Sequence, residues 1–576
     1  MLTLLLLTLS PAAPPERPAD LILHGGKVVT LDPKSSIAQA VAVREGRIVA
    51  VGTDEAVFAH KGPKTTLIDL KGRTLMPGLY DSHVHPVGVV TTELAAPPPV
   101  IRSLVEANAF IRKHAVTLPR GDWIVLRFAF PTRLDEARFP TKAELDAVAP
   151  HHPVLFHAGP ASMVNSKALE VSKITKDTPS PKAGMIVKDP KTGEPTGMIR
   201  NAYSALRGVP RESDKVGAKE LREGVLRLFQ RYNEHGLTSI ADRAGSKSDL
   251  DLYRELARDG KLTLRVNVAR QMSAGGTREE IIARLDAIPA KDGPTGVGDD
   301  QVRVGPIKVF LDGGMLNGTA YMRQPWPPGP TYQITEKDYR GLLFIEPAQL
   351  RLFVEEATRR KWQMTAHTAG EGGMDVLLDA YEAVDRLLPV KQLRHCITHA
   401  NFPSKLNLER CRTLGVCADV QPAWLFKDGP TLARILPESR MRWFQPYRTW
   451  LEYTTIGGGS DHMIRYDAVD STNPWDPWLG IWVALSRKTQ RGGVLGRDEA
   501  LSREQALRLY TINNAYLHHE EKAKGTIEVG KLADLIVLDR DVMTCSVDEV
   551  RATKVSRTIV GGKIVFARGE LNRGKH

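Results

Sequence analysis

Residues 19–75 carry short apolar runs separated by tight, glycine-bearing turns: DLILHGGKVVTLD, AVAVREGRIVAVG and TTLIDLKGRTLMPG. Turns at Gly25-Gly26, Glu45-Gly46 and Lys71-Gly72 between apolar stretches predict β-hairpins. The other end of the chain repeats the pattern. LADLIVLDRD and VSRTIVGGKIVFARGE contain Gly561-Gly562-Lys563, the same turn that opens the chain as Gly25-Gly26-Lys27. Two β-rich ends around one long middle predict a composite β-domain from residues 19–77 and 520–569. Residues 78–519 would then form a continuous insertion.

The middle has a different period. AKELREGVLRLFQRYNEHG precedes LTSIAD, PAQLRLFVEEATRRK precedes WQMTAHTAG, GMDVLLDAYEAVDRLLP precedes RHCITHA, and SKLNLERCRTLG precedes VCADVQP. Repeated alternation of helical pattern and short apolar run predicts βα units and a parallel sheet. The fold class is therefore α/β, with a (β/α)8 barrel as the leading architecture. Residues 86–200 are Pro-rich and less regular, as for a large insertion after the first strand.

Composition refines this picture. At 576 residues the chain exceeds one ordinary domain, and 42% hydrophobic with 25% charged residues is globular. The net charge of +12 is spread without a long basic block, which argues against a nucleic-acid groove. The four cysteines, Cys396, Cys411, Cys417 and Cys545, form no CxxC pair, so they read as free thiols unless the protein is exported. Residues 1–18 hold a short apolar run, Ser10-Pro11-Ala12 and prolines, which resembles a signal peptide lacking its positive start. Export to the periplasm or the outside is expected on that reading, and a cytoplasmic location otherwise. No segment is long and apolar enough to span a bilayer.

Candidate chemistry begins at GLYDSHVHP, residues 78–86. In a strand, Asp81, His83 and His85 would share one face, and two imidazoles on one face can converge on a metal ion. Barrel chemistry sits at the C-terminal ends of strands. Lys308 lies inside the apolar run VGPIKVFLDGG, either snorkelling to water or held neutral and able to react with carbon dioxide. The product would be a carbamate able to bridge two metals. WQMTAHTAGEGG ends at His367, LRHCITHANFP contains His395 and His399, and YTTIGGGSDHM reaches Asp461 after a glycine run. Each alone fits a structural role. The signal is the ordered series on successive strand ends.

That series resembles the amidohydrolase superfamily, and more narrowly its amidohydrolase-3 branch, which includes YtcJ-like proteins and N-substituted formamide deformylases. The matching pieces are PGLYDSHVHP, GDWIV, VNSKAL, GEPTGMI, GLTSIAD, IKVFLDGG, AHTAGE, THA, GGGSDH and GTIEVGKLADLIVLDRD with TIVGGKIVF. The resemblance implies a barrel plus a β-sandwich-like domain from both termini. It implies that His83, His85 and Asp461 bind one metal, and that carbamylated Lys308 bridges to a second metal held by His367 and His399; the metal expected is divalent, zinc first, and the number of ions, one or two, is left open. Substrate contacts from His157, Asn165 and Asp312 are implied in the same way. Departures are Gly159-Pro160 where relatives often carry Gly-His, Thr398-His399 for Glu-His, and Gly370-Glu371 for Gly-Asp. They leave the ligand series intact and bear on substrate choice.

The implied activity is hydrolysis of a non-peptide C–N bond, in an amide or an N-acyl or N-formyl amine, by metal-activated water. Asp461 would accept the water proton and pass it to the leaving amine. The alternatives are a ring-amine deaminase of the same superfamily and a non-catalytic metal-binding or sensory relative. The expected partner is a small-molecule substrate, with no nucleic acid and no membrane span; a homo-oligomer is left open.

Overall fold

A computed structural model describes residues 17–95, 97–210 and 216–569. The region read as a signal peptide lies almost wholly outside the described residues. Eight parallel strands follow one another around a barrel: β1 Leu79–Val84, β2 Leu237–Gly245, β3 Arg265–Gln271, β4 Val302–Phe310, β5 Met364–Thr368, β6 Cys396–His399, β7 Cys417–Val420 and β8 Ile456–Gly458. β8 returns to β1 just past their ends, where Asp461 N–H donates to the His83 carbonyl at 2.8 Å and His85 N–H to the His462 carbonyl at 2.9 Å. The ring of strands is thus closed by the backbone of the residues that carry the candidate chemistry.

The outer helices bury one stripe each. The helix Ala218–Glu234 buries Val225, Leu228, Phe229 and Tyr232, and Lys247–Arg258 buries Leu250, Tyr253 and Leu256, the spacing of an amphipathic helix on a sheet. The second starts at a capping box, with Ser246 and Asp249 satisfying each other's backbone N–H. Among the described residues, no helix is long and apolar enough to cross a membrane. The four cysteines are free; Cys396, Cys411 and Cys417 are buried.

Strands from the two ends of the chain pair directly. Thr74–Pro77 runs antiparallel to Leu535–Leu538 within a six-stranded sheet that also holds Lys27–Val29 and Val555–Val560. A four-stranded sheet, containing Leu21–His24 and Ala40–Arg44, packs on it through Leu23, Val43, Ile68, Leu75, Leu535 and Val537. The glycine turns divide into two kinds. Glu45-Gly46 and Gly561-Gly562 have positive φ at both residues and close true hairpins. Gly25-Gly26 and Lys71-Gly72 close no hairpin, although Lys71 and Gly72 also have positive φ. Each carries the chain from one sheet to the other, and the two bends run side by side, with Gly72 N–H donating to the Gly25 carbonyl at 2.7 Å and Lys27 N–H to the Arg73 carbonyl at 3.0 Å. A Cβ on Gly26 would meet Leu70 at 2.5 Å, so close packing of two bends demands the glycine there.

The segment after β1 is more regular than its proline content predicts. It builds a five-stranded mixed sheet in the order Met185–Lys188, Pro195–Arg200, Ala161–Val164, Val154–Ala158, Ile124–Arg127. Its core continues through Phe130, Phe139 and Phe156 into Trp326, Phe402 and Trp424, which follow β4, β6 and β7. The inserted segment is therefore seated on the C-terminal face of the barrel.

Candidate active site

His83 and His85 converge. Their Nε2 atoms lie 3.2 Å apart, and Asp461 Oδ1 lies 3.2 Å from the first and 3.1 Å from the second. Asp81 stays outside this convergence: its Oδ1 accepts the N–H groups of His83 and Ser460 and ties the closing strands together. Four-coordinate ligands at about 2.0–2.2 Å from a zinc ion stand roughly 3.3–3.6 Å apart, and octahedral ones nearer 3 Å. Two imidazole nitrogens and a carboxylate oxygen at 3.1–3.2 Å therefore match the edge lengths of a coordination polyhedron. The donor set suits a divalent metal.

Backbone conformation is unusual at the same places. Asp461 has φ 54°, His399 φ 78° and Ala400 φ 47°. Left-handed conformation at strand ends turns side chains out of the alternation that a regular strand would impose.

His399 belongs to a second cluster, with His83 and Asp419, whose ligand-type atoms lie within 4.8 Å of one another. Asp419 was missed in the sequence, although it interrupts the apolar run VCADVQP as Lys308 interrupts its own. Its oxygens are already committed. Oδ2 accepts from Arg243 Nε at 2.7 Å, and Oδ1 from His399 N–H at 3.2 Å and Gln421 Nε2 at 3.1 Å. Oδ1 also lies 3.5 Å from His83 Nδ1. That carboxylate faces the Nδ1 side of the His83 ring, while Nε2 faces Asp461. Burial opposes its charge, but Arg243, itself 1% exposed, and His83 hold the carboxyl well below its usual range. Gln421 Oε1 engages His399 Nδ1 at 2.8 Å, and Trp424 stacks on the His399 ring at 4.7 Å.

His367 stands edge-on to His399 with ring centroids 4.4 Å apart, and its Nε2 lies 3.3 Å from the Gly313 carbonyl. Burial, with Lys308 nearby, pushes its pKa down to about 3, so the imidazole is neutral. Lys308 is 1% exposed, and burial brings its amine down to about 7. Its Nζ sits 5.2 Å from the centre of the Phe310 ring. Phe310, 5.6 Å from His367, is the wall shared with a cavity of about 730 Å³. That cavity opens at the ends of β2–β4, beside Ala244, Gln271, Met272, Leu343 and Ile345, with Lys182 and Glu346 as its charged groups.

Asn165, Asp312 and His157, the three implied substrate contacts, occupy three different settings. Asn165 is the fully buried N-cap of helix Ser166–Ser172. Its Oδ1 accepts from Ala168 and Val154 N–H and its amide donates to the Ala149 and His152 carbonyls, so no valence remains for a substrate. Asp312 is also turned inward. Its oxygens accept from Tyr321, Ala369 and Gly370 N–H, holding the loop that follows β5, while Oδ1 stays 4.0 Å from His367 Nε2. Burial pushes its carboxyl up to about 7. His157 belongs to neither cluster of ligand-type groups. It lines a cavity of about 850 Å³ with Arg127, Tyr203 and the helix that follows His85.

Comparison with known proteins bears on the family and the fold. The chain is 29% identical to the N-substituted formamide deformylase of Arthrobacter pascens, over 95% of this chain and 98% of that protein. It is 27% identical to YtcJ of Bacillus subtilis, described as an amidohydrolase, over 95% and 99%. In fold it is similar to the crystal structure of an uncharacterized metal-dependent hydrolase of Pyrococcus horikoshii, with a TM-score of 0.64 at 23% identity, covering 92% of this chain and 99% of that one. The sequence profile of the amidohydrolase family matches residues 66–566, nearly the whole length from composite sheet to composite sheet, and the chain belongs to that family.

Proposed function

We propose that the protein hydrolyses a non-peptide C–N bond of a small N-acyl amine, with an N-substituted formamide as the leading substrate class. The observation that carries this reading is the convergence of His83, His85 and Asp461 on one point. A divalent cation there, with zinc the first choice for this donor set, would polarise the carbonyl and lower the pKa of water toward about 7. His83 and His85 would hold it with Asp461, with Asp419 facing the Nδ1 side of the His83 ring. His399 and His367 face it from β6 and β5, with Lys308 between the two sides. As a carbamate, Lys308 would supply a bridging carboxylate: the neutral amine adds to carbon dioxide and releases one proton.

Asp461 does the proton work. Burial opposes its charge, yet the neighbouring His83 and His85 keep it well below the usual carboxylate range, so it is ionised and can accept a proton from the attacking water. It then delivers that proton to the nitrogen of the departing amine. The apolar wall of Phe310, Met272, Leu343 and Ile345 takes the substituent of the amine, and a volume of about 730 Å³ is ample for an aromatic or branched group. The support from relatives is the name of the Arthrobacter protein and the length of the match.

The test is a screen of the zinc-loaded protein against N-alkyl, N-benzyl and N-aryl formamides and acetamides, with free amine and ammonia measured separately. Amine release supports the proposal. Ammonia release from ring amines alone, or no turnover of any class, would overturn it.

A further inference from the structure

Asn473 lies twelve residues beyond Asp461, is 1% exposed, and has every side-chain valence in use. Its Nδ2 donates to the Asp461 carbonyl at 2.6 Å and reaches Asp461 Oδ2 at 3.4 Å. Its Oδ1 accepts from Trp424 Nε1 at 3.2 Å and from Arg133 Nη1 at 3.0 Å. Indole and guanidinium are donors only, so the amide has one possible orientation and its NH2 must face Asp461. The backbone of Asn473 is fixed too, its carbonyl accepting from Ser471 Oγ at 2.6 Å.

Arg133 comes from the inserted segment, 340 residues away along the chain. It is anchored before it reaches Asn473. Nε and Nη2 form a fork on Asp428 at 2.9 and 2.8 Å, Nη1 also donates to the Thr472 carbonyl, and Thr132 Oγ1 donates to the same Asp428 carboxylate at 2.7 Å. Asp428 is fully buried, so this pairing is geometrically stiff. Trp424, the other partner of Asn473, is the ring stacked on His399 at 4.7 Å with the planes 20° apart. One amide thus touches the left-handed turn that aims Asp461 and the indole that backs His399.

We infer that Asn473, braced by Arg133 of the inserted segment, is a positioning residue that fixes Asp461 and, through Trp424, His399. This rests on the reading of Asp461 and His399 as metal-facing groups. It gives the inserted segment a part in the chemistry: its packing on the barrel delivers the guanidinium that locks the amide.

The experiment reads zinc affinity of purified full-length Asn473→Leu, Arg133→Lys and Trp424→Phe by chelator competition. The visible spectrum of the cobalt form, thermal melting, and kcat and KM accompany it. Asn473→Leu should weaken zinc binding by about 10- to 100-fold and lower kcat with KM little changed. Arg133→Lys, which keeps the charge but loses the fork, should move both in the same direction by less, and Trp424→Phe should shift the cobalt spectrum. A merely structural role would lower melting temperature while zinc affinity, spectrum and kcat stay at wild-type values, and that result overturns the inference. If Asn473→Leu does not fold, Arg133→Lys and Trp424→Phe decide it by the same readouts. A wild-type protein that binds no zinc would overturn the metal reading itself, and this inference with it.

Discussion

Arg243→Met removes the cation that neutralises Asp419 inside the barrel. Both side chains are buried, at 1% and 0% exposure, and Arg243 Nε reaches Asp419 Oδ2 at 2.7 Å with a second contact from Nη2. The methionine fills similar space but leaves a carboxylate with no counter-charge, which costs about 3–5 kcal/mol when one partner of a buried pair is lost. Against a total stability of about 5–15 kcal/mol, that is a large fraction. Replacing both partners by apolar residues, as in Arg243→Met with Asp419→Leu, should recover most of the loss, leaving roughly 1 kcal/mol or less. The sign of the pH dependence follows. In the wild type the Asp419 carboxyl is depressed, so its contribution is present above about pH 4 and lost as pH falls. Without Arg243, burial raises that carboxyl above its unfolded value, so the deficit of the single variant grows as pH rises and shrinks as it falls. Urea unfolding at several pH values measures this. Zinc affinity should stay low in the double variant, because His83 has lost the carboxylate that faces its Nδ1. A single variant as stable as wild type, or a double variant no more stable than the single, would refute the reasoning.

Lys308→Ala should abolish most turnover, and added short carboxylic acids should restore part of it by standing in for the proposed carbamate. With its amine brought down to about 7, Lys308 is largely neutral above that value, so reconstitution of metal-free protein with zinc and bicarbonate should be more complete at pH 8 than at pH 6, as read by recovered activity. Phe310→Ala should raise KM for N-aryl substrates relative to N-methyl ones while leaving zinc content unchanged, since the ring walls the cavity but donates no ligand. Asn165→Ala should cost about 0.5–2 kcal/mol as a lost N-cap, and more because two carbonyls lose donors, with kcat of the folded protein unaltered.

The parts of this molecule that follow local rules could be read along the chain. The alternation of helix and strand marks the barrel because each βα unit carries its own period, and His83 and His85 can be paired because i, i+2 spacing is a property of one strand. Asp461 was findable from the glycines before it. Gly459 is one of them, and a Cβ there would meet His83 at 2.8 Å. Gly25-Gly26 and Lys71-Gly72 read as hairpins along the chain because a positive-φ glycine looks the same whether the next strand pairs back or crosses to another sheet. Asn-Ser-Lys-Ala before a helical run also reads as an N-cap signature, and Asn165 has that role in the structure. Asp419 could have been caught by the rule that caught Lys308, a charge inside an apolar run. Arg133 and Asn473 have no such signal. Their contact spans 340 residues and exists only because the inserted sheet packs on the barrel face.

The central claim, that His83, His85 and Asp461 hold a divalent metal required for hydrolysis, is tested most directly by elemental analysis joined to reconstitution. Purified wild-type protein should carry at least one equivalent of a divalent metal, should lose amine release on chelation, and should regain it when zinc is returned, while His85→Ala and Asp461→Asn remain folded, bind less metal and stay inactive. Full hydrolytic activity in the chelated wild type, or an unchanged metal content in both variants, would contradict the account.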